Sequence, residues 1–237
     1  MCLQKTDVRK IFAISVFGDN PRYIMGAYKQ VHLAKYFYPD FERVLFVDKP
    51  SLYKLDATVI AMPEKGDGTF WRFLAGSSDA AVLFRDADSR VTIREVAAVE
   101  EWLRSGKKLH LIRDHDRHLW PSVPVNAATF ALRGPWPINV LVEIIRHMQG
   151  DYQYNRDMDF LRDYVHAPYA DDTLLHTIYE GWFGESRDKL ANPYEWVGQG
   201  WDEEDRPIYA PSEENFDKHD RFALPDSARF SQYPEAL

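Results

Sequence analysis

The chain of 237 residues contains one cysteine, Cys2. That scarcity excludes an internal disulfide and a thiolate metal cluster, and it fits a reducing compartment. No apolar run is long enough to span a bilayer, and the opening residues Met-Cys-Leu-Gln-Lys-Thr-Asp lack the apolar core of a secretory signal. A cytoplasmic protein without a transmembrane segment is expected. Positive charge is also in short supply: 29 Lys and Arg face 37 Asp and Glu, and no Lys/Arg run offsets the net charge of −8. This argues against a nucleic-acid binder. Phosphate-binding glycine nests are missing as well. No Gly-x-x-x-x-Gly-Lys segment occurs, and Gly18 stands alone where a dinucleotide-binding turn needs several glycines. Bound phosphates must therefore be held by other means, a metal ion being the obvious one.

What is present reads as alternating β and α. Ile11 to Phe17 is a buried strand, ended by Gly18-Asp19-Asn20-Pro21, with Pro21 placed to open a helix that Tyr38-Pro39-Asp40 stops. Val44 to Asp48 and Ala57 to Met62 are further strands, and Asp48 resembles an acid that holds a ribose. Lys65-Gly66-Asp67-Gly68-Thr69 is a loop, followed by the aromatic helical piece Phe70-Trp71-Arg72-Phe73-Leu74. Ala81 to Phe84 and Leu109 to Arg113 are strands buried on both faces, Ala127 to Leu132 is another, and Ile138 to Met148 is a helix. Asp171 to Tyr179 has the acidic start of a helix. No internal repeat is visible. Residues 1–201 are expected to form one catalytic domain, and 202–237 an acidic, Pro-containing, partly extended tail.

Chemistry is concentrated at Arg85-Asp86-Ala87-Asp88-Ser89-Arg90. If this segment continues the strand, Asp86 and Asp88 point the same way and can present two carboxylates to one cation; a helix would separate them by about 200 degrees. Two carboxylates with open positions suit Mg²⁺ or Mn²⁺, which take remaining ligands from water and substrate phosphates. The Asp-x-Asp triplet recurs at Asp114-His115-Asp116 and Asp157-Met158-Asp159, so the spacing alone decides nothing. Context favours the first copy. Thr92-Ile93-Arg94-Glu95 is a capping box that starts a helix, and Ser105-Gly106 stops it. The acidic pair then lies between a buried strand and a helix, where open α/β sheets bind ligands. The copy at 157–159 follows no strand and reads as surface loop or helix.

Taken in order, Phe17 to Pro21, Gly68 to Phe73, Arg85 to Arg90, Glu101 to Leu103, Arg113-Asp114-His115 with His118, Ala170-Asp171 and Val197-Gly198 resemble a small bacterial and viral family of GT-A-fold glycosyltransferases. A rhamnosyltransferase domain of a large algal virus is among the proteins it resembles. The resemblance implies an α/β fold with a GT-A-like (Rossmann-like), mostly parallel central sheet flanked by helices. It implies a hexosyl- or deoxyhexosyltransferase moving sugar from a nucleotide-diphosphate donor, UDP-sugar first, to a glycan or other hydroxyl acceptor with Mn²⁺ or Mg²⁺. By the same resemblance Asp88 ligates the metal, and Asp86 holds ribose or a metal-bound water. Phe17, Gly18, Asp19 and Asn20 contact the base, and Arg72 lies near the nucleotide. Asp48, Ala87, Arg113 and His115 complete the expected nucleotide contacts, and Asp171, then Asp172 and Asp114, are candidate bases.

The chain departs from the family in three places. Ala127-Ala128-Thr129-Phe130-Ala131 replaces a Gly-Gly-Met-Trp-Gly segment, Asp171-Asp172 replaces Asp-Gln, and Gly184-Glu185-Ser186-Arg187 offers no counterpart to a late His-Asp pair. Other readings of the residues stay open. Asp171 and Asp172 can be a helix cap, His115 and His118 exposed turn residues, and Arg113 a structural partner of Asp86. The 114–118 cluster can instead serve a divalent-metal phosphoesterase. The aromatic residues, which include seven Trp, serve core packing first, but exposed ones near the acidic loop can stack on sugar rings or a base, even in a sugar-binding module without catalysis.

Overall fold

Apolar residues on both faces of successive strands require layers on both sides of a sheet, and the structure, a computed structural model that describes residues 8–115, 124–177 and 196–208, has that arrangement. Strands β1 (Lys10–Val16), β2 (Glu42–Val47), β3 (Thr58–Ala61), β4 (Ala81–Asp86), β5 (Leu109–Arg113), β6 (Phe130–Arg133) and β7 (Thr173–Thr177) form one sheet in the order β3-β2-β1-β4-β6-β5-β7. β6 runs antiparallel to both neighbours, β4 and β5, and every other pairing is parallel. The expected mostly parallel, helix-flanked sheet is therefore present.

The two-residue period of β1 divides the core. Ile11 and Ala13 face a cluster with Phe70, Trp71, Phe73, Phe84, Phe130 and Phe160, while Phe12, Ile14 and Val16 face helices α1 (Pro21–Phe37) and α2 (Ile93–Ser105) through Ala27, Val31, Ala34, Val99 and Trp102. The first face is covered by the 3₁₀ segment Gly68–Ser77 and by helices α3 (Ile138–Met148) and α4 (Arg156–Leu161). Helix starts follow their sequence signals. The Asn20 side chain accepts from Arg22 N at 3.0 Å ahead of Pro21, and Thr92 Oγ1 accepts from Glu95 N at 3.1 Å. Gly106 closes α2 with φ +75°, a left-handed conformation that costs glycine little.

Two expectations are corrected. Asp171 to Tyr179 does not start a helix: Thr173–Thr177 is β7, paired in parallel with β5 from Leu109↔Thr173 to Arg113↔Thr177, and residues beyond 177 up to 195 lie outside the described part. Two adjacent leucines between threonines suit either period, and pairing with β5 decides in favour of the β-branched strand. The capping box is half used. Glu95 does not reach back to Thr92; its Oε1 accepts instead from Arg85 Nε at 2.8 Å and from Tyr38 OH at 3.2 Å. Of the expected tail, 209–237 lies outside the described residues. Its first part packs back on the fold, with Asp205 paired to Lys29 at 2.6 Å and Arg90 at 3.0 Å.

Candidate active site

β1 leads to α1 and β2 on one side of the sheet, whereas β4 leads toward β5 and β6 on the other. Strand order thus diverges between the parallel neighbours β1 and β4, and the carboxyl ends of these two strands open a crevice of the kind that binds ligands in open α/β sheets. A cleft of about 880 Å³ lies there, lined by Phe17 and Arg22 after β1, Arg72, the Asp86-Ala87-Asp88 loop, His115, and Tyr152, Tyr154, Asn155 and Asp157.

The acidic loop reaches the cleft by a different route from an extended strand. β4 ends at Asp86, and the chain turns at once, Ser89 N donating to Asp86 O at 3.3 Å. The turn is held from below. Gln30 Nε2 donates to Ser89 Oγ at 2.8 Å, Gln30 Oε1 accepts from Val91 N at 3.1 Å, and Trp201 N donates to Asp88 O at 2.9 Å. Helix α1 crosses so closely that a Cβ on Gly26 would lie 2.5 Å from Ala87 O. Arg85 and Arg90 of the motif are structural: Arg85 Nη1 donates to Phe84 O and Phe130 O at 2.8 Å each, and Arg90 pairs with Asp205.

Both carboxylates meet arginines. Arg22 Nε donates to Asp88 Oδ2 at 2.7 Å, with Nη2 on the same oxygen, and Arg72 Nη1 donates to Asp86 Oδ1 and to Arg85 O. Arg72 is the partner of Asp86; Arg113, separated from β4 by β6, donates to Pro124 O instead. The other end of Arg72 points to a group that the sequence reading set aside. Its Nη2 stands 3.5 Å from Asp157 Oδ2, in the first turn of α4. Burial pushes the Asp157 carboxyl up to about 6, with Arg72 opposing the rise and Asp86 adding to it. Burial, then the charge of Asp86, also raises Asp88, against the pull of Arg22. Two guanidinium groups thus face three carboxylates.

Such a site has use for a further positive charge. Among the described residues no group of three or more His, Cys, Asp or Glu is arranged to hold a metal, but Mg²⁺ and Mn²⁺ need only one or two carboxylates when phosphates and water fill the other positions. Asp86 and Asp88 fit that requirement.

The remaining expected residues divide between cleft and scaffold. Gly18 N donates to Asp48 Oδ2 at 2.8 Å, while Asp48 Oδ1 is buried with no hydrogen-bond partner among the described residues. Asp19 pairs with Lys49, and Asn20 is spent on capping α1. His115 is buried at the cleft wall, its ring 4.7 Å from that of Trp196, so it is not an exposed turn residue. Asp114 is wholly buried and holds Arg94 at 2.7 and 2.8 Å and Val197 N at 3.3 Å. Asp171 and Asp172 are not brought to the cleft. They precede β7, whose first residue Thr173 pairs with Leu109 at the start of β5, so they stand at the opposite edge of the sheet. Asp116 and His118, and the segment 184–187, lie outside the described residues. No helix among the described residues is long and apolar enough to cross a membrane.

No protein-family model and no curated protein matches the chain. Several solved structures are similar to it in fold. A mannosyltransferase from Pyrobaculum calidifontis in complex with GDP-Man and Mn²⁺ is 13% identical, over 74% of this chain and 59% of that one, with a TM-score of 0.44. A 4-diphosphocytidyl-2C-methyl-D-erythritol synthase from Anaerococcus prevotii is 14% identical, over 77% and 94%, with a TM-score of 0.43. Glucosyl-3-phosphoglycerate synthase from Mycobacterium tuberculosis, in complex with phosphoglyceric acid, is 12% identical, over 73% and 71%, with a TM-score of 0.41.

Proposed function

We propose that this protein is a divalent-metal-dependent glycosyltransferase that uses a nucleotide-diphosphate sugar, a UDP-sugar in the first place. The observation that carries the reading is the pairing of Asp86 and Asp88 with Arg72 and Arg22 at one cleft, on the strand edge where α/β sheets take ligands. Asp86 and Asp88 would hold Mn²⁺ or Mg²⁺, which neutralises charge on the diphosphate as it leaves. Arg22 and Arg72, released from their carboxylates, are placed to donate to phosphate oxygens, a role that guanidinium geometry suits. Asp48 Oδ1, without a hydrogen-bond partner among the described residues, would accept an N–H of the kind uracil presents, Asp48 standing behind the cleft lining and next to Gly18. Phe17, next to the Gly18 that Asp48 already holds, offers an aromatic face to the base.

Thermal shift tests the reading. With UDP-glucose or GDP-mannose the melting temperature rises when Mn²⁺ or Mg²⁺ is present, and the rise disappears on chelation with EDTA. Stabilisation by metal alone together with turnover of a generic phosphodiester would support a hydrolase instead. Binding of free glycans without nucleotide or metal would support a sugar-binding module.

A further inference from the structure

The cleft wall continues past Phe17, whose ring lies 6.3 Å from that of Tyr152, into a segment to which the nucleotide reading gives no role. Tyr152 and Tyr154, between α3 and α4, and Asp157, in the first turn of α4, all line the cleft. The tyrosines remain 54% and 81% exposed, although large aromatic side chains in this protein are otherwise mostly buried. Their loop is braced. Arg156 Nη1 donates to Asp151 O at 3.0 Å, Arg156 Nε donates to His147 Nδ1 at 2.9 Å, and Arg156 N donates to Gln153 O at 3.2 Å. Asn155 takes a left-handed conformation, φ +65°, between the exposed tyrosines and the half-buried acid. Such a turn separates an aromatic rim from a carboxylate set deeper.

Asp157 is poorly satisfied for so enclosed a group. Its Oδ1 accepts from Met158 N at 3.0 Å, and among the described residues its Oδ2 has the long 3.5 Å approach of Arg72. A carboxylate oxygen with that little compensation, in a cleft bordered by rings, is suited to accept from a ligand hydroxyl. Arg72 links it to Asp86, so the carboxylate stands one guanidinium away from the expected diphosphate.

We propose that Tyr152, Tyr154 and Asp157 form an acceptor subsite for a pyranose, whose ring packs on the tyrosines and whose attacking hydroxyl donates to Asp157. This rests on the reading of the cleft as a nucleotide-sugar site. In the transfer step the acceptor hydroxyl gives its proton to the Asp157 carboxylate and its oxygen bonds to the anomeric carbon. The bond from that carbon to the phosphate oxygen breaks, and its electron pair leaves with the nucleoside diphosphate. A single displacement of this kind inverts the anomeric configuration. Flat faces such as those of tyrosine match the C–H faces of a sugar, and the nearby carboxylate sets which hydroxyl attacks.

The experiment combines calorimetry of UDP and GDP binding in Mn²⁺ with release of nucleoside diphosphate from UDP-glucose and GDP-mannose, using a panel of methyl pyranosides as acceptors. D157N is expected to lower kcat by roughly 100-fold or more while nucleotide affinity stays within about threefold. Y154A is expected to raise the acceptor KM with the donor KM unchanged. Full turnover in D157N overturns the proposal, and so does a parallel loss of nucleotide affinity, which would place Asp157 on the donor. Loss of nucleotide affinity in Y154A would assign the rim to the base, and a wild-type protein that binds nucleotide but is stimulated by no pyranoside would overturn the acceptor class. Failure of the wild type to bind either nucleotide with Mn²⁺ is a different result: it removes the nucleotide-sugar reading itself, and the acceptor subsite with it.

Discussion

Gly26 sits where α1 crosses the acidic loop, and the space for a side chain there is taken by main chain: a Cβ would stand 2.5 Å from Ala87 O and 3.1 Å from Asp88 Cα. Backbone cannot rotate away as a flexible side chain can, so Gly26→Ala must push the loop or the helix, at about 1–3 kcal/mol. We expect G26A to keep the circular dichroism spectrum of the wild type and to lose roughly tenfold in Mn²⁺-dependent UDP affinity, equivalent to about 1.4 kcal/mol; unchanged affinity would show that the loop position is immaterial. Asp157 gives a second prediction. Its folded-state carboxyl, raised from 3.8 to about 6 chiefly by burial, binds a proton more tightly than in the unfolded chain, so ionising it costs stability as pH rises through that window. Asp157→Asn should therefore raise the melting temperature at pH 7.5, by an effect on the order of 3 kcal/mol, and the gain should vanish below about pH 4. A gain independent of pH would contradict the assignment. Nothing in the local sequence of Asp157 marked it out. Its triplet looked like surface because its meaning comes from Arg72, 85 positions away.

At the scale of elements, Arg85 and Glu95 are a buried strut, both 1% exposed in their side chains, that ties β4 to α2, to β6 through Phe130 O and to α1 through Tyr38. Removing one member leaves the other charge buried, so Arg85→Met should destabilise the fold by about 3–5 kcal/mol in urea denaturation; a loss below about 1 kcal/mol would show that Glu95 finds another partner. The strut also explains what was legible. Local helix signals, Pro21 opening α1, Thr92 capping α2 and Gly106 ending it, could be read directly, because each acts within its own turn. The capping acid of α2 was taken away by a buried arginine, and β7 was mistaken for a helix because its identity is set by β5, more than sixty residues earlier. Asp171 lost its expected role with the same strand, since an acid that precedes β7 stands at the far edge of the sheet from the cleft.

For the molecule as a whole, the decisive feature is the divergence of strand order between β1 and β4. Buried strands, the helices between them and the acidic loop after β4 were visible in the sequence, and together they pointed to the carboxyl edge of the sheet as the place for a ligand. Its composition was not visible. Arg22, Arg72, Asp88 and Asp157 are gathered from four separate segments, and only the folded sheet balances their charges against one another. That balance makes the central claim measurable. In calorimetry the wild-type protein should bind UDP in the presence of Mn²⁺ and fail to bind it after EDTA, and Asp88→Ala should abolish the Mn²⁺-dependent part while its unfolding curve remains cooperative. UDP affinity that is equal in D88A and wild type, or equal with and without Mn²⁺, would contradict the assignment of this cleft.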